Sequence, residues 1–565
     1  MKQLIAASIL AALVLYPAAG QSQEITRTGI AALISGFSAT PPTAGFHEFL
    51  NEPLVKKYQS GVKKYQSGDK VNMYRLLGIF IRLKHQDAMV RTLGELVAIP
   101  TDKKEDQPQH ENPKIREFGR AIGKIAGDFG LRFRNVDNRI FEVTLPGKGP
   151  DMIGVFTHGD VVPADPEKWV LPDGKRLAPY RLTIIGDRMY GRGASDDKSE
   201  ITAVLYAMGA IKRAGFTLDR TIRLSIETTE ETGGSATEYY KARTTLAPYN
   251  IVLDGAYPVG VAEKGFGVVM GKFPVRPGSG DGAEIVDATG GLAINQIPSR
   301  ARAVIRTSDP ARFKRLIDTA ARRYVADNGA NFRIASSIGD NSLTVTVFGE
   351  STHSARPGRG VNPVSRLFDF IHMARKSVPF KSNHFTDAAS YVAANWGLDY
   401  LGGKLGIGFS DPFMGALTAP VTYVKIKQGA LHLAVNPRAP RGREPDRIIA
   451  DIKRGIATWQ TRTGIDAGFD ISLKRYMYRD PKGPWIKTLL DIFGDVTGMP
   501  AEPRSSNGYT SARQLPNGIQ FGPGMPGEKG TAHRANEFKR KTNFLRDTQM
   551  IAEMLLRLGN LERME

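Results

Sequence analysis

Five short segments of this chain each carry a histidine or a carboxylate of the kind that binds metal ions. They are THGDVV, GRGASDDKS, TTEETGG, VLDGAYP and GTAHRANE, which contain His158, Asp196, the pair Glu230–Glu231, Asp254 and His533. Two divalent cations side by side need imidazoles, a bridging carboxylate, a terminal carboxylate each, and a free carboxylate that takes a proton from water. The segments supply this complete set. Because His533 follows Asp254 by 279 positions (533 − 254), the C-terminal segment must fold back onto the first half.

Local spacing assigns separate roles within this set. Adjacent residues project in different directions, so Glu231 can bind a metal ion while Glu230 stays free as the base. His158 and Asp160 are two positions apart at the predicted end of a strand, so their side chains lean to the same side. We expect the Asp160 carboxylate to accept the second imidazole N–H and fix the tautomer of His158. Alone, an H-x-D fragment is more typical of a surface pair, and the accompanying segments favour the metal-binding role.

The first half of the chain has the pattern of an α/β sheet. Residues 152–157, 221–227 and 249–253 are short apolar stretches typical of strands, and residues 201–211 repeat their apolar positions with a helical period. Strands that alternate with helices predict a sheet with crossover helices. In such sheets ligands bind beyond the carboxyl ends of the strands, where His158, Glu230–Glu231 and Asp254 are predicted to lie.

The N-terminus resembles a signal peptide. Lys2 precedes an apolar run from residue 4 to 16, and small residues follow before Gln21, where cleavage is expected. The run is short for a membrane span, and no later stretch reaches the roughly 18 uninterrupted apolar residues that a spanning helix needs. We expect an exported, periplasmic protein without a membrane span in its mature form; a retained N-terminal anchor is the alternative.

Composition excludes several classes of site. The chain has no cysteine, so disulfides, thiolate ligands and a cysteine nucleophile are excluded, and any metal must bind to histidine and carboxylate. The net charge is +20, but the basic residues are dispersed and accompany no nucleic-acid-binding motif. We therefore expect no nucleic acid partner.

The motifs occur together in a known family. THGDVVP, YGRGASDDK, TTEETGG, VLDGAYPVGVAEKG, GESTHSARPGRGVNP and GTAHRANE resemble the M20 clan of co-catalytic metallopeptidases, in the order of that clan. GGLAINQIPSRA and LDYLGGKLGIGFSDPFMGALT are similar to its peptidase V or Sapep-like dipeptidase branch. The resemblance runs from about residue 75 to the C-terminus. Each motif alone is short enough to occur by chance, whereas six in the same order are specific.

The resemblance implies a complete ligand assignment. His158 and Asp254 bind one metal ion, Glu231 and His533 bind the other, and Asp196 bridges both through a position that in the family precedes a cis peptide bond. The cofactors are thus two divalent ions. Zinc is expected, with manganese or cobalt as alternatives, because histidine and carboxylate suit several divalent metals.

The resemblance also implies substrate contacts from a second domain. His353 supplies an imidazole to the substrate carbonyl oxygen, Asn295 polarises the oxyanion, and Arg438 grips the substrate carboxylate. Outside this motif, a lone histidine is more typical of a core position, and a lone asparagine or arginine is more typical of a turn or the surface.

The predicted organisation has five parts, because 565 residues are too many for one ordinary core. A signal peptide (1–20) and an extension with a tandem VKKYQSG (21–75) precede an α/β metallopeptidase catalytic domain, whose mixed sheet is flanked by helices. The first part of that domain spans 76–263 and the second 471–565. An inserted α+β lid domain (264–470) separates them.

The predicted function is an exported metal-dependent dipeptidase that hydrolyses short peptides. Two metal ions activate a water molecule and Glu230 is the general base. An N-acyl-amino-acid deacylase or carboxypeptidase of the same clan is the main alternative, since it would use the same metal chemistry. A non-catalytic peptide-binding protein and a two-metal phosphatase are more remote alternatives.

Overall fold

The computed structural model describes residues 29–36, 45–61, 67–105, 107–508 and 510–565. The predicted signal peptide and residues 62–66 of the tandem repeat lie outside the described residues. The chain divides into two compact units. The first, unit 1, comprises the described residues up to Gly260, Arg479–Pro503 and Thr510–Glu565; the second, unit 2, comprises Val261–Tyr478 and residues 504–508. The predicted domain boundaries lie after residues 263 and 470. In the structure, the chain passes from unit 1 to unit 2 after Gly260 and returns to unit 1 after Tyr478.

Unit 1 contains ten helices among its described residues. They are α1 (29–36), α2 (Gly45–Leu50), α3 (Pro53–Gln59), α4 (Ser67–Lys84), α5 (Gln86–Val97), α6 (Pro113–Asp128), α7 (Lys198–Arg213), α8 (Ser235–Lys241), α13 (Pro484–Thr497) and α14 (Lys541–Gly559). Its strands are β1 (Arg132–Val136), β2 (Ile140–Leu145), β3 (Met152–His158), β4 (Thr183–Ile185), β5 (Arg188–Tyr190), β6 (Thr221–Glu227), β7 (Tyr249–Val252), β8 (Gly255–Ala256), the start of β9 (Val259–Glu263), β25 (Gly518–Gln520), β26 (Pro523–Gly524) and β27 (Phe538–Arg540).

The main sheet of unit 1 is mixed, with the order β1-β2-β6-β3-β7-β25-β9. Strands β6, β3, β7 and β25 run parallel, whereas β1, β2 and β9 are antiparallel to their neighbours. The central strand β3 is buried along almost its whole length, as expected for a parallel strand with both faces covered. This sheet confirms the α/β prediction.

Helix α4 begins before the predicted start of the catalytic domain. It crosses the boundary at 75/76 and packs along α14, with Leu76 and Leu77 buried and Gly78 directly against the Gln549 backbone. A Cβ at residue 78 would lie 2.7 Å from the Gln549 carbonyl oxygen, so only glycine permits this close approach. Among the described residues, none of the helices combines the length and hydropathy that crossing a membrane requires.

Unit 2 is an α+β unit built on an antiparallel sheet, in the order β14-β15-β13-β11-β19-β20-β10-β21, with β22 also paired to β10. Its strands are β10 (Gly265–Pro274), β11 (Glu284–Gly290), β12 (Gln296–Ile297), β13 (Arg300–Arg306), β14 (Arg333–Gly339), β15 (Ser342–Phe348), β16 (Thr352–His353), β17 (Ser410–Asp411), β18 (Gly415–Ala416), β19 (Val421–Lys427), β20 (Ala430–Val435), β21 (Arg438–Ala439), β22 (Gly468–Leu473), β23 (Met477–Tyr478) and most of β24 (Pro503–Ser506). Its helices are α9 (Pro310–Asn328), α10 (Pro363–Ala374), α11 (His384–Asn395) and α12 (Pro445–Thr463).

The core of unit 2 lies between this sheet and its helices. Phe273, Tyr391 and Trp459 are almost fully buried there and meet edge to face or tilted. Such aromatic pairs add about 0.5–1.5 kcal/mol each beyond the burial of their area. The unit therefore has a core of its own, as a separate domain requires.

Candidate metal centre

Three strand ends of unit 1 bring predicted metal residues to one edge of the sheet. His158 is the last residue of β3 and pairs in register with Glu227, the last residue of the parallel strand β6. Asp254 follows the end of the next parallel strand, β7. Because these strands point the same way, the residues that follow them converge beyond the sheet.

The Glu230–Glu231 pair lies in a short 3-10 turn, Glu230–Thr232, just beyond β6. The turn ends at Gly233 and Gly234, which have φ angles of 105° and 73°. Glycine adopts this left-handed region without the steric cost that other residues meet. The two glycines of TTEETGG thus allow the chain to reverse into α8 while both glutamates stay at the sheet edge.

Asp196 presents its two carboxylate oxygens to two different imidazoles. Its Oδ1 lies 2.8 Å from His158 Nε2, and its Oδ2 lies 3.1 Å from His533 Nε2. His533 Nε2 is also 2.9 Å from Glu231 Oε1. The peptide bond between Asp196 and Asp197 is cis, as the family resemblance implies. This arrangement has the symmetry of a carboxylate that bridges two cations, with one histidine on each side.

The ligand atoms fall into two overlapping groups that could each hold a metal ion. Atoms of His158, Asp196 and Glu231 lie within 4.8 Å of one another, and so do atoms of His158, Glu230 and Asp254. All five residues were predicted at the site. The second group places the predicted base, Glu230, as close to His158 and Asp254 as a ligand would be.

Crowding of acidic groups shows that the cluster needs added positive charge. Burial and the neighbouring Asp254 raise the pKa of Glu230 to about 9, and burial and Asp196 raise the pKa of Asp254 to about 7. Hydrogen bonds with Asp196 and Glu231 raise the pKa of His533 to about 10. Buried carboxylates that hold protons at neutral pH are stabilised in their charged form by nearby cations. The donor set therefore fits divalent metal ions.

His158 and Asp196 stabilise each other's charged forms within this cluster. Burial opposes the charged imidazole of His158, but hydrogen bonds with Asp160 and Asp196 raise its pKa well above the ordinary value. Burial likewise opposes the charged carboxylate of Asp196, whereas hydrogen bonds from His158 and His533 lower its pKa. In the metal-free protein the two histidines thus act as the counter-ions of the bridging carboxylate.

Asp160 makes contacts that differ in part from the prediction. The nearest acceptor to His158 Nδ1 is the Asp160 backbone carbonyl oxygen, at 3.0 Å, and the Asp160 carboxylate lies 3.5 Å away. That carboxylate accepts the backbone N–H of Glu230 at 3.2 Å and of Glu231 at 3.1 Å. Asp160 therefore orients the glutamate turn with its carboxylate and the histidine chiefly with its backbone.

Two buried glutamates that the sequence analysis did not single out hold the loops of the site. Glu227 accepts hydrogen bonds from the hydroxyls of Thr229 and Thr237, at 3.2 and 2.6 Å. Glu537 accepts three backbone N–H groups from the loop that ends at Asp196, including that of Asp196 itself. Both lie in or beside motifs already noted. An acidic residue at the end of the apolar strand β6 also indicates a functional or structural role, since a buried charge requires partners.

The predicted substrate residues of unit 2 form a group of their own. Strand β12 pairs with β16, which sets Gln296 opposite His353. The backbone carbonyl of Asn295 accepts the N–H of Ser354 at 2.9 Å. Arg438 is buried, with its Nε 3.3 Å from Asn436 Oδ1 and its guanidinium over the Phe266 ring. Asn295 thus lies in the turn just before β12, next to the strand β16 that carries His353.

The local environment keeps the exposed imidazole of His353 neutral and selects its tautomer. Partial removal from water and the positive charges of Arg438 and Arg356 lower the pKa of His353 to about 4. Its Nδ1 lies 3.1 Å from the backbone N–H of Ala355 and accepts it. A neutral ring whose Nδ1 is an acceptor carries its proton on Nε2. His353 can therefore donate a hydrogen bond from Nε2 at neutral pH.

The chain is similar to known peptidases along most of its length. The sequence profile of Peptidase family M20/M25/M40 matches residues 154–557. The protein YtjP of Bacillus subtilis (strain 168) is 29% identical over 437 residues, which cover 76% of this chain and 88% of YtjP. Beta-Ala-Xaa dipeptidase of Lactobacillus delbrueckii subsp. lactis is 26% identical over 488 residues, 85% of this chain and 97% of that protein.

Among solved structures, human carnosine dipeptidase 1 aligns with a TM-score of 0.49 and 16% identity, over 86% of this chain and 99% of that chain. The family match covers more than half of the chain and includes every residue of the candidate metal centre, from His158 to His533. This confirms the resemblance found in the motifs. The chain belongs to peptidase family M20/M25/M40.

Proposed function

We propose that this protein is a metal-dependent dipeptidase that hydrolyses short peptides with free termini. The observation that carries the proposal is the position of Asp196, whose two carboxylate oxygens each face a different histidine. Similarity to the Beta-Ala-Xaa dipeptidase supports the class of substrate. Export to the periplasm is part of the proposal and rests on the signal-like sequence before Gln21.

The residues that would hold two divalent ions follow from the cluster. His158 and Asp254 would bind one ion, Glu231 and His533 the other, and Asp196 both. We propose zinc, with manganese or cobalt as alternatives. When bound, two such ions lower the pKa of a water molecule and polarise the carbonyl that is attacked.

Glu230 is the proposed general base. It lies beside His158 and Asp254, and its backbone N–H is held by the Asp160 carboxylate. In its ionised form it accepts the proton of the attacking water, and it returns that proton to the leaving amine. Its neighbour Glu231 faces His533 instead, so the adjacent glutamates project in different directions.

The proposed role of unit 2 is to stabilise the negative charge that develops on the substrate. The Nε2–H of neutral His353 is available as a donor to the substrate carbonyl oxygen, since Nδ1 is occupied by the Ala355 N–H. A donor of this kind contributes about 3–4 kcal/mol when it is preorganised. Asn295 is proposed as a second donor, and Arg438 as the group that grips the substrate carboxylate.

Hydrolysis of a substrate panel tests this proposal. Metal-free protein is reloaded with zinc or manganese and given free dipeptides, N-acetylated amino acids and a dipeptide blocked at its N-terminus, with Glu230→Ala as control. Cleavage of free dipeptides that disappears in the control is the expected result. Turnover of only the acylated amino acids would assign a deacylase instead, and metal binding without any turnover would indicate a peptide-binding protein.

A further inference from the structure

Glu537 is a fully buried carboxylate four residues after His533. Its Oε1 accepts the backbone N–H groups of Gly193, Ser195 and Asp196, at 3.1, 2.9 and 3.2 Å. Its Oε2 forms an ion pair with the buried guanidinium of Arg192. The Glu537 side chain therefore contacts most of the residues from Arg192 to Asp196, the proposed bridging ligand.

Three of the loop's backbone amides depend on the Glu537 carboxylate for their hydrogen bonds. An unpaired backbone N–H in the interior costs about 1–3 kcal/mol, so three amides that converge on one oxygen strongly favour a single loop conformation. The charge of the carboxylate strengthens each of these bonds relative to a neutral acceptor. Asp196 is the last of the three amides, and its side chain is the one that faces both histidines.

The same contacts dock the His533 segment onto this loop. The backbone carbonyl of Glu537 accepts the N–H of Gly191 at 3.1 Å, and Arg192 donates to the Arg534 carbonyl at 3.3 Å. Two residues after Glu537, the buried Lys539 bonds to Glu200 at 3.0 Å and ties the segment to α7, the helix that follows the Asp196 loop. The C-terminal segment therefore holds the chain on both sides of Asp196.

From these contacts we infer that Glu537 is a positioning residue, which fixes the Asp196 carboxylate between His158 and His533 so that it can bridge two metal ions. The inference rests on the proposed function, because it presupposes a site with two metals. A residue that only stabilised the fold would change the melting temperature and leave the metal affinity of the folded protein unaltered.

Zinc titration of metal-free protein against a chromophoric chelator tests the inference in Glu537→Gln and Glu537→Asp. Glu537→Gln removes the charge and sets an amide group against Arg192. Groups that orient metal ligands change affinity by about 10–100-fold, so we expect the zinc Kd to rise by this factor. Both binding steps should weaken together because Asp196 is shared. Glu537→Asp keeps the charge and should restore part of the affinity.

The matched control is Glu528→Gln, which changes a half-exposed glutamate of the same C-terminal segment and should leave both zinc Kd values unaltered. Circular dichroism and the melting temperature establish that each variant is folded. Unchanged zinc binding in folded Glu537→Gln would overturn the inference. Loss of the fold in both Glu537 variants would also overturn it, because the residue would then support the whole unit rather than Asp196.

Wild-type protein that binds two zinc ions but hydrolyses no dipeptide would count against the proposed function alone. The positioning role of Glu537 is measured by zinc affinity, which does not depend on the substrate.

Discussion

The two units carry opposite electrostatic environments around their predicted functional residues. In unit 1, buried carboxylates raise one another's pKa, as Glu230 and Asp254 show. In unit 2, partial burial and the guanidinium groups of Arg438 and Arg356 lower the pKa of His353 to about 4. The first environment favours binding of cations, and the second keeps an imidazole neutral as a donor. In the proposed function, the first cluster would hold the metal ions and the second would donate a hydrogen bond to the substrate carbonyl.

The largest expected effect comes from the base in unit 1. Glu230→Gln should lower kcat by about 10²–10⁴-fold, because proton transfer by a positioned carboxylate contributes that much. Both metal ions should stay bound, as measured by elemental analysis alongside the kinetics. Glu238→Gln, on the neighbouring helix α8 and largely exposed, is the control. Loss of one metal ion in Glu230→Gln would instead make Glu230 a ligand, as its closeness to His158 and Asp254 also permits.

The next effect tests the donor in unit 2. His353→Ala should lower kcat by about 10²–10³-fold through loss of one oxyanion donor. The metal content should not change, since His353 belongs to the other unit. Steady-state kinetics and metal analysis of this variant distinguish loss of an oxyanion donor from loss of metal binding. His432→Ala on strand β20 is the control. Full activity in His353→Ala would remove unit 2 from the proposed mechanism.

A smaller effect is expected from the residue that orients the glutamate turn. Asp160→Asn keeps the size of the side chain but weakens its hydrogen bonds with the backbone N–H groups of Glu230 and Glu231. We expect a rise in the metal Kd of about 10–100-fold. Zinc titration measures it, with Asp165→Asn on the exposed loop after β3 as control. An unaltered Kd would show that the turn holds its shape without this carboxylate.

Metal binding should release protons. Among the proposed ligands of the metal-free protein, His533, with a pKa of about 10, holds a proton at pH 7, and Asp254, with a pKa of about 7, holds one in part. The raised pKa of His158 favours the protonated form of that ligand as well. Ligation requires neutral histidine and ionised carboxylate, so affinity should rise with pH, by about tenfold per unit for each proton released. Calorimetry in buffers with different heats of ionisation counts these protons. Uptake of protons would contradict the described cluster.

The sequence was sufficient to predict the sheet edge and the residues gathered there. His158, Glu230–Glu231 and Asp254 follow predicted strands, and the carboxyl ends of parallel strands meet at one edge. Their partners Asp196 and His533 were candidates by residue type, but their places in the ligand set came only from the family resemblance. No periodicity in the chain indicates that residues 337 positions apart (533 − 196) face each other.

Other features depend on three-dimensional contacts that no local pattern contains. The role of the Asp160 carboxylate is set by the orientation of the Glu230 and Glu231 amides, and that of Glu537 by three amides of a distant loop. Helix α4 begins at Ser67, before the predicted domain start at residue 76, and packs along α14 with Leu76 and Leu77 buried. In each case the deciding partner is far away in sequence.

In the proposed function, Asp196 bridges two metal ions, which are held by His158 and Asp254 on one side and by Glu231 and His533 on the other. Anomalous diffraction from zinc-loaded crystals would locate these ions. We predict two zinc peaks per chain, about 3.5–4 Å apart, with one Asp196 oxygen on each. A single peak, or two peaks of which one lies away from Asp196, would contradict it.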